Sequence, residues 1–243
     1  MAVDPVGGSA ATAPCARTAG GNPLARDRPG WDAGTVPDPW SPAMSEPPLR
    51  EVRAAYDDNS LVVYQAYPAS IAEPALAAGT FVAPFKRERM TWIKPSFRWM
   101  MYRSGWGTKA GQERVLAVRI SREGFVWALA NACLSHYDRD RYASAAAWKA
   151  ELKASPVRVQ WDPERSTRLG PLAHRAVQIG LSGPAVHRYV DDWILGVEDV
   201  TALAHEAHAL VRDGRPGAAD ALIPAEPPYP LPASLAGRIG ATR

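Results

Sequence analysis

The chain has little cysteine: two residues, Cys15 and Cys133, in 243. Two cysteines that far apart make neither a disulfide framework nor a zinc site. Cys133 follows an apolar helical face and reads as a small buried hydrophobe rather than a nucleophile. No run of about 18 apolar residues occurs, which argues against a membrane-spanning helix and a membrane partner. The N-terminus lacks a basic region followed by an apolar core, so it does not read as a signal peptide. A reduced, cytoplasmic location is the expectation. Also missing are a Walker loop, a dinucleotide-binding GxGxxG, HExxH and GxSxG. His205 and His208 stand three apart with no third ligand nearby; they read as a solvated helix face, and no metal is expected.

What is present is enough apolar material, 47% of the residues, for one domain of roughly 200 residues with a sizeable core. The net charge of +3 is unevenly spread. Residues 1–49 hold three arginines against five acids, so the remainder is the basic part, with its cations concentrated over residues 86–122. That distribution points to an anionic partner for the folded part. Residues 1–48 are rich in Gly, Pro, Ala and Asp without apolar periodicity, and are expected to be a disordered leader, with Met44 an alternative start. Residues 49–235 are expected to form one α+β domain, and 236–243 a flexible tail.

Within that domain LVVYQAY (61–67), RVLAVRI (114–120), SPVRVQWDP (155–163) and HRAVQIGL (174–181) read as strands, and MTWI (90–93) as extended. Ser70 with Glu73 reads as a capping box for a short helix that Gly79 ends. Pro95 fits the first turn of a helix over Ser96–Arg103, stopped by Gly105. Ser121 caps a helix bearing Phe125, Ala128 and Leu129, and Ala145–Ala154 is another. Ser182 and Pro184 open a helix carrying Val186, Tyr189, Trp193 and Ile194, and Thr201 caps a last long helix. The proline-rich IPAEPPYPLPASL is expected to lie extended on the surface. Strands and helices mix without regular alternation, which predicts an α+β fold with a small mixed or antiparallel central sheet flanked by helices.

Two stretches carry chemistry. In FVAPFKRERMTWIKPSFRWMMYRSG, Phe81 to Gly105, cations interleave with large rings, the combination that a nucleotide or nucleic-acid site requires. The helical part can be explained by Phe97, Met100 and Met101 facing the core; the run before Pro95 has no such excuse. There Arg87 and Arg89, on one side of an extended segment, would reach phosphate together. In VQWDPERS, Gln160 and Asp162 share a polar face on an otherwise apolar strand, with Glu164 and Arg165 just past its end. Solvent explains such a face, and so does a pocket.

From about Arg50 to Leu231 the chain resembles a microbial family catalogued as domain of unknown function 4291, through REVRAAYDD, VYQAY, FKRERMTWIKPSFRWMMYRSGW, QERVLAVRI, CLSH, SPVRVQWDPERS, QIGLSG and PYPLP. That family implies no activity. VVYQAYPASIAEPALAAGTF and TWIKPSF also resemble the opening elements of ADP-ribosyltransferase-type folds. This second resemblance implies an NAD site in which Gln65 is the first polar reader, Ser96 the second and Glu164 the acid. Gln65 departs from the usual His or Arg, and Asp162 competes with Glu164 for the acid's register.

The expectation is therefore a nucleotide-using transferase with NAD as cofactor, modifying a nucleic acid in one version. Arg53, Arg87, Arg89 and Lys94 would hold the pyrophosphate, Trp92 or Tyr64 would stack on a ring, Gln160 and Asp162 would line the site, and Glu164 would stabilise the oxocarbenium-like centre or activate the acceptor. The alternative is a non-catalytic module that binds RNA or DNA with the same cations and rings. A domain whose site lies elsewhere is the third reading.

Overall fold

The computed structural model describes residues 47–242. The expected leader, with Cys15, Trp31, Trp40 and Met44, lies outside the described residues except for its last two positions. In chain order the elements are β1 (Ser60–Tyr67), α1 (Ala69–Ala78), β2 (Thr91–Ile93), α2 (Phe97–Ser104), β3 (Arg114–Ser121), α3 (Arg122–Ala130), β4 (Ala132–Leu134), α4 (Ala145–Ala154), β5 (Val157–Arg165), β6 (Pro171–Leu181), α5 (Pro184–Arg188), a π-helical turn (Tyr189–Trp193), β7 (Ile194–Asp199), α6 (Thr201–Arg212), α7 (Pro216–Leu222) and α8 (Ala233–Ile239).

The α+β expectation holds, with two small sheets in place of one. The first is antiparallel, in the order β1-β3-β7; the second is mixed, in the order β2-β6-β5-β4, with only β4–β5 parallel. β1 is apolar on both faces, LVVY being buried throughout, so it needs cover on both sides. The sheets meet just beyond β2, where Lys94 leaves the mixed sheet and pairs with Tyr64 of β1 in an isolated antiparallel bridge. Tyr64 N–H donates to the Lys94 carbonyl at 2.7 Å, and Lys94 N–H returns the bond at 3.3 Å. The basic-aromatic stretch is thus the seam between the sheets.

Local chemistry explains much of this. Ser96 accepts from Trp99 N–H at 3.0 Å and starts α2, and Gly105, at φ 59°, ends it in the left-handed region. Phe97, Met100 and Met101 go to the core as their spacing predicts. Ser121 caps α3 through Gly124 N–H, and Cys133 is buried.

Several expectations are corrected. Ser70 and Glu73 form no capping box: α1 begins at Ala69 after Pro68, whose fixed φ sets the helix start without a side-chain cap. The helix expected to run from Pro184 to Ile194 breaks into a π-helical turn, and Ile194 begins β7 against β3. Thr201 does not cap α6; its hydroxyl accepts from Val115 N–H at 2.9 Å and ties the helix to β3.

The proline-rich run lies along the surface but is pinned to it by a buried residue. Tyr229 N–H donates to the Val52 carbonyl at 2.8 Å, and its ring is buried edge-on to Tyr56 and Phe125, at 5.2 Å from each. The tail expected to be flexible from 236 continues α8, with Ile239 fully buried, because it supplies apolar cover that the mixed sheet lacks.

Candidate functional site

A cleft of about 480 Å³ opens where β2, α2, β5 and β6 converge at this seam. The mixed sheet provides Trp92 and, just past β2, Lys94. Gly180 lies opposite Trp92 in β6, and a Cβ there would stand 3.0 Å from the indole, so glycine lets the ring lie across the strand. The second face of α2 provides Trp99, Tyr102 and Arg103, at the i, i+3, i+4 spacing of one helical stripe. Trp99 and Tyr102 stack with centroids 5.1 Å apart. The Arg165 guanidinium, from the end of β5, lies 3.7 Å from the Tyr102 centroid and 5.4 Å from that of Trp99. This is a layered cation–ring arrangement.

The alternation of β5 puts Gln160 and Asp162 on the cleft side, and register puts Gln178 of β6 opposite Gln160. Gln160 Nε2 donates to Asp162 Oδ1 at 2.9 Å and Gln178 Nε2 to Oδ2 at 2.6 Å, so the carboxylate is fixed at both oxygens. Lys94 faces it. Lys94 is 8% exposed, and its ammonium donates to the Trp92 carbonyl at 3.0 Å. Burial pushes its pKa down to about 7, Arg103 acts in the same direction, and Asp162 opposes both. Lys94, Arg103 and Arg165 against one carboxylate make the cleft electropositive.

Beside it lies a carboxyl pair, Glu164 buried and Glu226 half-buried. β5 does not stop at Pro163; its register against β6 shifts between Pro163 and Arg165, and Glu164 at this irregularity is buried. Glu164 accepts from Arg165 N–H at 2.8 Å. Its pKa is raised by burial, against the opposing effects of that N–H, the Ser96 hydroxyl, Arg98 and Arg53. Glu226, from the proline-rich run, accepts from Phe97 N–H at 2.6 Å at the start of α2. Burial, and then the neighbouring Glu164, push Glu226 up to about 8. A carboxyl at a helix N-terminus is favourably placed, but desolvation outweighs that here.

Of the residues expected to form the site, Trp92, Lys94, Gln160 and Asp162 line this one cleft. Ser96 stands one turn before Trp99, beside Glu164, with its hydroxyl capping α2. Gln65 is buried beneath the cleft. Its amide bonds Thr91 Oγ1 at 2.7 Å and reaches the Trp92 carbonyl at 3.4 Å, and its oxygen accepts from Tyr189 at 2.7 Å. Gln65 therefore supports the carbonyl that Lys94 uses.

Tyr64 is buried edge-on to Phe97 and stacks on nothing in the cleft. The Arg53 side chain pairs with Glu51 and donates to the Glu226 carbonyl at 3.1 Å. Arg87 and Arg89 do not act together on an extended segment. Residues 83–89 turn, as Phe81 and Phe85 stack at 4.6 Å; Arg87 pairs with Asp191 at 2.8 Å and Arg89 is exposed away from the cleft lining.

Sequence reasoning missed Trp99, Tyr102 and Arg103 as site residues by treating α2 as scaffold, although their stripe opposite Phe97, Met100 and Met101 was readable. Gln178 and Glu226 gave no local signal. No three His, Cys, Asp or Glu side chains cluster to hold a metal among the described residues. No helix there is long and apolar enough to cross a membrane.

A family model described as a domain of unknown function (DUF4291) matches residues 51–229, most of the chain, and the chain belongs to this family. None of the curated proteins and none of the solved structures compared with the chain matches it, so the ADP-ribosyltransferase-type resemblance finds no counterpart among them.

Proposed function

We propose that this DUF4291 protein is a nucleotide-using transferase with NAD as the donor, held in the cleft between α2 and the mixed sheet. The observation that carries the reading is the convergence of Lys94, Arg103 and Arg165 with Trp92, Trp99 and Tyr102 around one cleft. The cations take the pyrophosphate and the rings take the bases. Transfer breaks the bond between nicotinamide N1 and C1′, and nicotinamide leaves with the electron pair. An acceptor oxygen or nitrogen then bonds C1′ and gives up its proton. Glu164, whose burial raises its proton affinity, takes that proton. Gln65 and Ser96 position the Trp92 carbonyl and α2.

Titration with NAD should quench Trp92 and Trp99 fluorescence, and Arg165→Ala should weaken binding by about tenfold or more, the scale of a lost charge-assisted contact. Absence of NAD binding at millimolar concentration would refute the reading.

One observation favours a second reading, a single-strand nucleic-acid module. Tyr102 is 40% exposed beside Trp99, with Arg165 against both rings, so an exposed ring and a cation are offered side by side to an unstacked base and its phosphate. That module binds labelled oligonucleotides with a log–log salt slope of roughly −0.7 per phosphate contact. Glu164→Gln leaves it intact and stops the transferase.

A further inference from the structure

One wall of the cleft has a chemistry of its own. Gln160 and Gln178 face each other across the β5–β6 ladder, and Asp162 follows two residues later on the same face. An ionised carboxylate only accepts hydrogen bonds, so each glutamine must turn its Nε2 toward Asp162, and the two amide orientations are settled by chemistry. Each glutamine carbonyl oxygen then points away from Asp162 and has no hydrogen-bond partner among the described residues. Asp162 keeps open lone pairs on both oxygens, because each accepts only one bond from the amides.

The rest of the cleft lining carries the cationic donors: Lys94, Arg103 and Arg165. The Nε1–H of Trp99 and the Nε–H of Arg165 are buried without partners among the described residues and are closed to the cleft, so the guanidinium termini and the ammonium are what it offers to an anion.

A ligand that is anionic throughout matches only that part of the lining and meets Asp162 on the other. The complementary ligand is anionic at one end and presents hydroxyl donors at the other. We infer that the Gln160–Asp162–Gln178 wall reads the vicinal 2- and 3-hydroxyls of a ribose, so that the ligand is a ribonucleotide and not its 2-deoxy form. The inference rests on the nucleotide reading of the cleft and adds the sugar to it. Two neighbouring hydroxyls can donate to the two oxygens of a carboxylate held side-on, while a deoxy sugar forms one fewer of these charge-assisted bonds.

The test is calorimetric titration with four probes at one salt concentration: ADP-ribose, its two analogues lacking the 2-hydroxyl of one or the other ribose, and inorganic pyrophosphate. Removal of one of the two hydroxyls should cost about tenfold or more in affinity, the scale of a lost hydrogen bond to a charged group. In Asp162→Asn that preference should collapse toward one, with no loss of pyrophosphate affinity. Equal affinity of the wild-type protein for all three sugar-bearing probes overturns the inference and leaves the nucleotide reading standing. So does a preference that survives in Asp162→Asn. If none of the four probes binds, the nucleotide reading fails and the inference with it. The wild-type comparison alone decides the matter should the variant not fold.

Discussion

Replacing Glu226 with glutamine probes how the proline-rich run is joined to the site. The carboxyl of half-buried Glu226 packs against the start of α2, and desolvation there together with Glu164 pushes its pKa from 4.5 to about 8, against the pull of Phe97 N–H, Arg98 and Arg53. Between those values the folded protein holds a proton that the unfolded chain has released. Stability to unfolding therefore falls as pH rises from about 4.5 through 8. At about 1.36 kcal/mol per pH unit the loss is bounded near 5 kcal/mol, and relaxation and water entry around the ionised pair bring the expected figure to about 2–3 kcal/mol. Glutamine keeps an oxygen to accept from Phe97 N–H and cannot ionise.

Urea unfolding followed by tryptophan fluorescence should show Glu226→Gln only slightly more stable than wild type at pH 5.5, one unit into that window. At pH 9 the variant should be the more stable by that margin. Lys94 titrates in the opposite sense over part of this range but is common to both proteins, so it cancels in the difference. A difference between variant and wild type that does not change from pH 5.5 to pH 9 refutes the reasoning.

Other consequences are as direct. Tyr229→Ala removes a buried ring packed between Tyr56 and Phe125 and should cost about 3–4 kcal/mol, seen as a melting temperature lower by roughly 6–16 °C. Gly124→Ala drives a Cβ into the Trp193 indole, a clash with a buried ring that should cost about 1–3 kcal/mol in the same melt. Lys94, held down to about 7 from 10.5 by burial, makes the folded state bind fewer protons than the unfolded chain between those values, so it adds stability as pH rises there. Lys94→Met should remove that contribution from the dependence of the urea midpoint on pH between 7 and 9.5, and should also weaken NAD binding.

Much of this architecture was legible. Ser96, Gly105 and the Phe97–Met100–Met101 spacing placed α2, and the alternation from Val157 to Asp162 put Gln160 and Asp162 on one polar face that proved to line a cleft. The same stretch misled where local pattern met distant partners. Arg87 looked unexcused beside Arg89, yet its partner is Asp191, 104 residues away. β7 was hidden because Tyr189 and Trp193 keep helical spacing through a π-helical turn that ends at Ile194. Glu226 was invisible because a proline-rich run has no periodicity to show which side is buried, and what draws it in is the contact of Tyr229 with Val52, Tyr56 and Phe125. The register shift beside Glu164 comes from pairing with β6, which the sequence of β5 does not contain.

The central claim is that the seam between the two sheets is a nucleotide site. A crystal structure of the protein grown with ADP-ribose tests it most directly. The account predicts phosphate oxygens within hydrogen-bonding distance of Lys94, Arg103 and Arg165, and a base stacked on Trp92 or Trp99. Ligand bound away from this cleft, or a cleft left empty at saturating ADP-ribose, would contradict it.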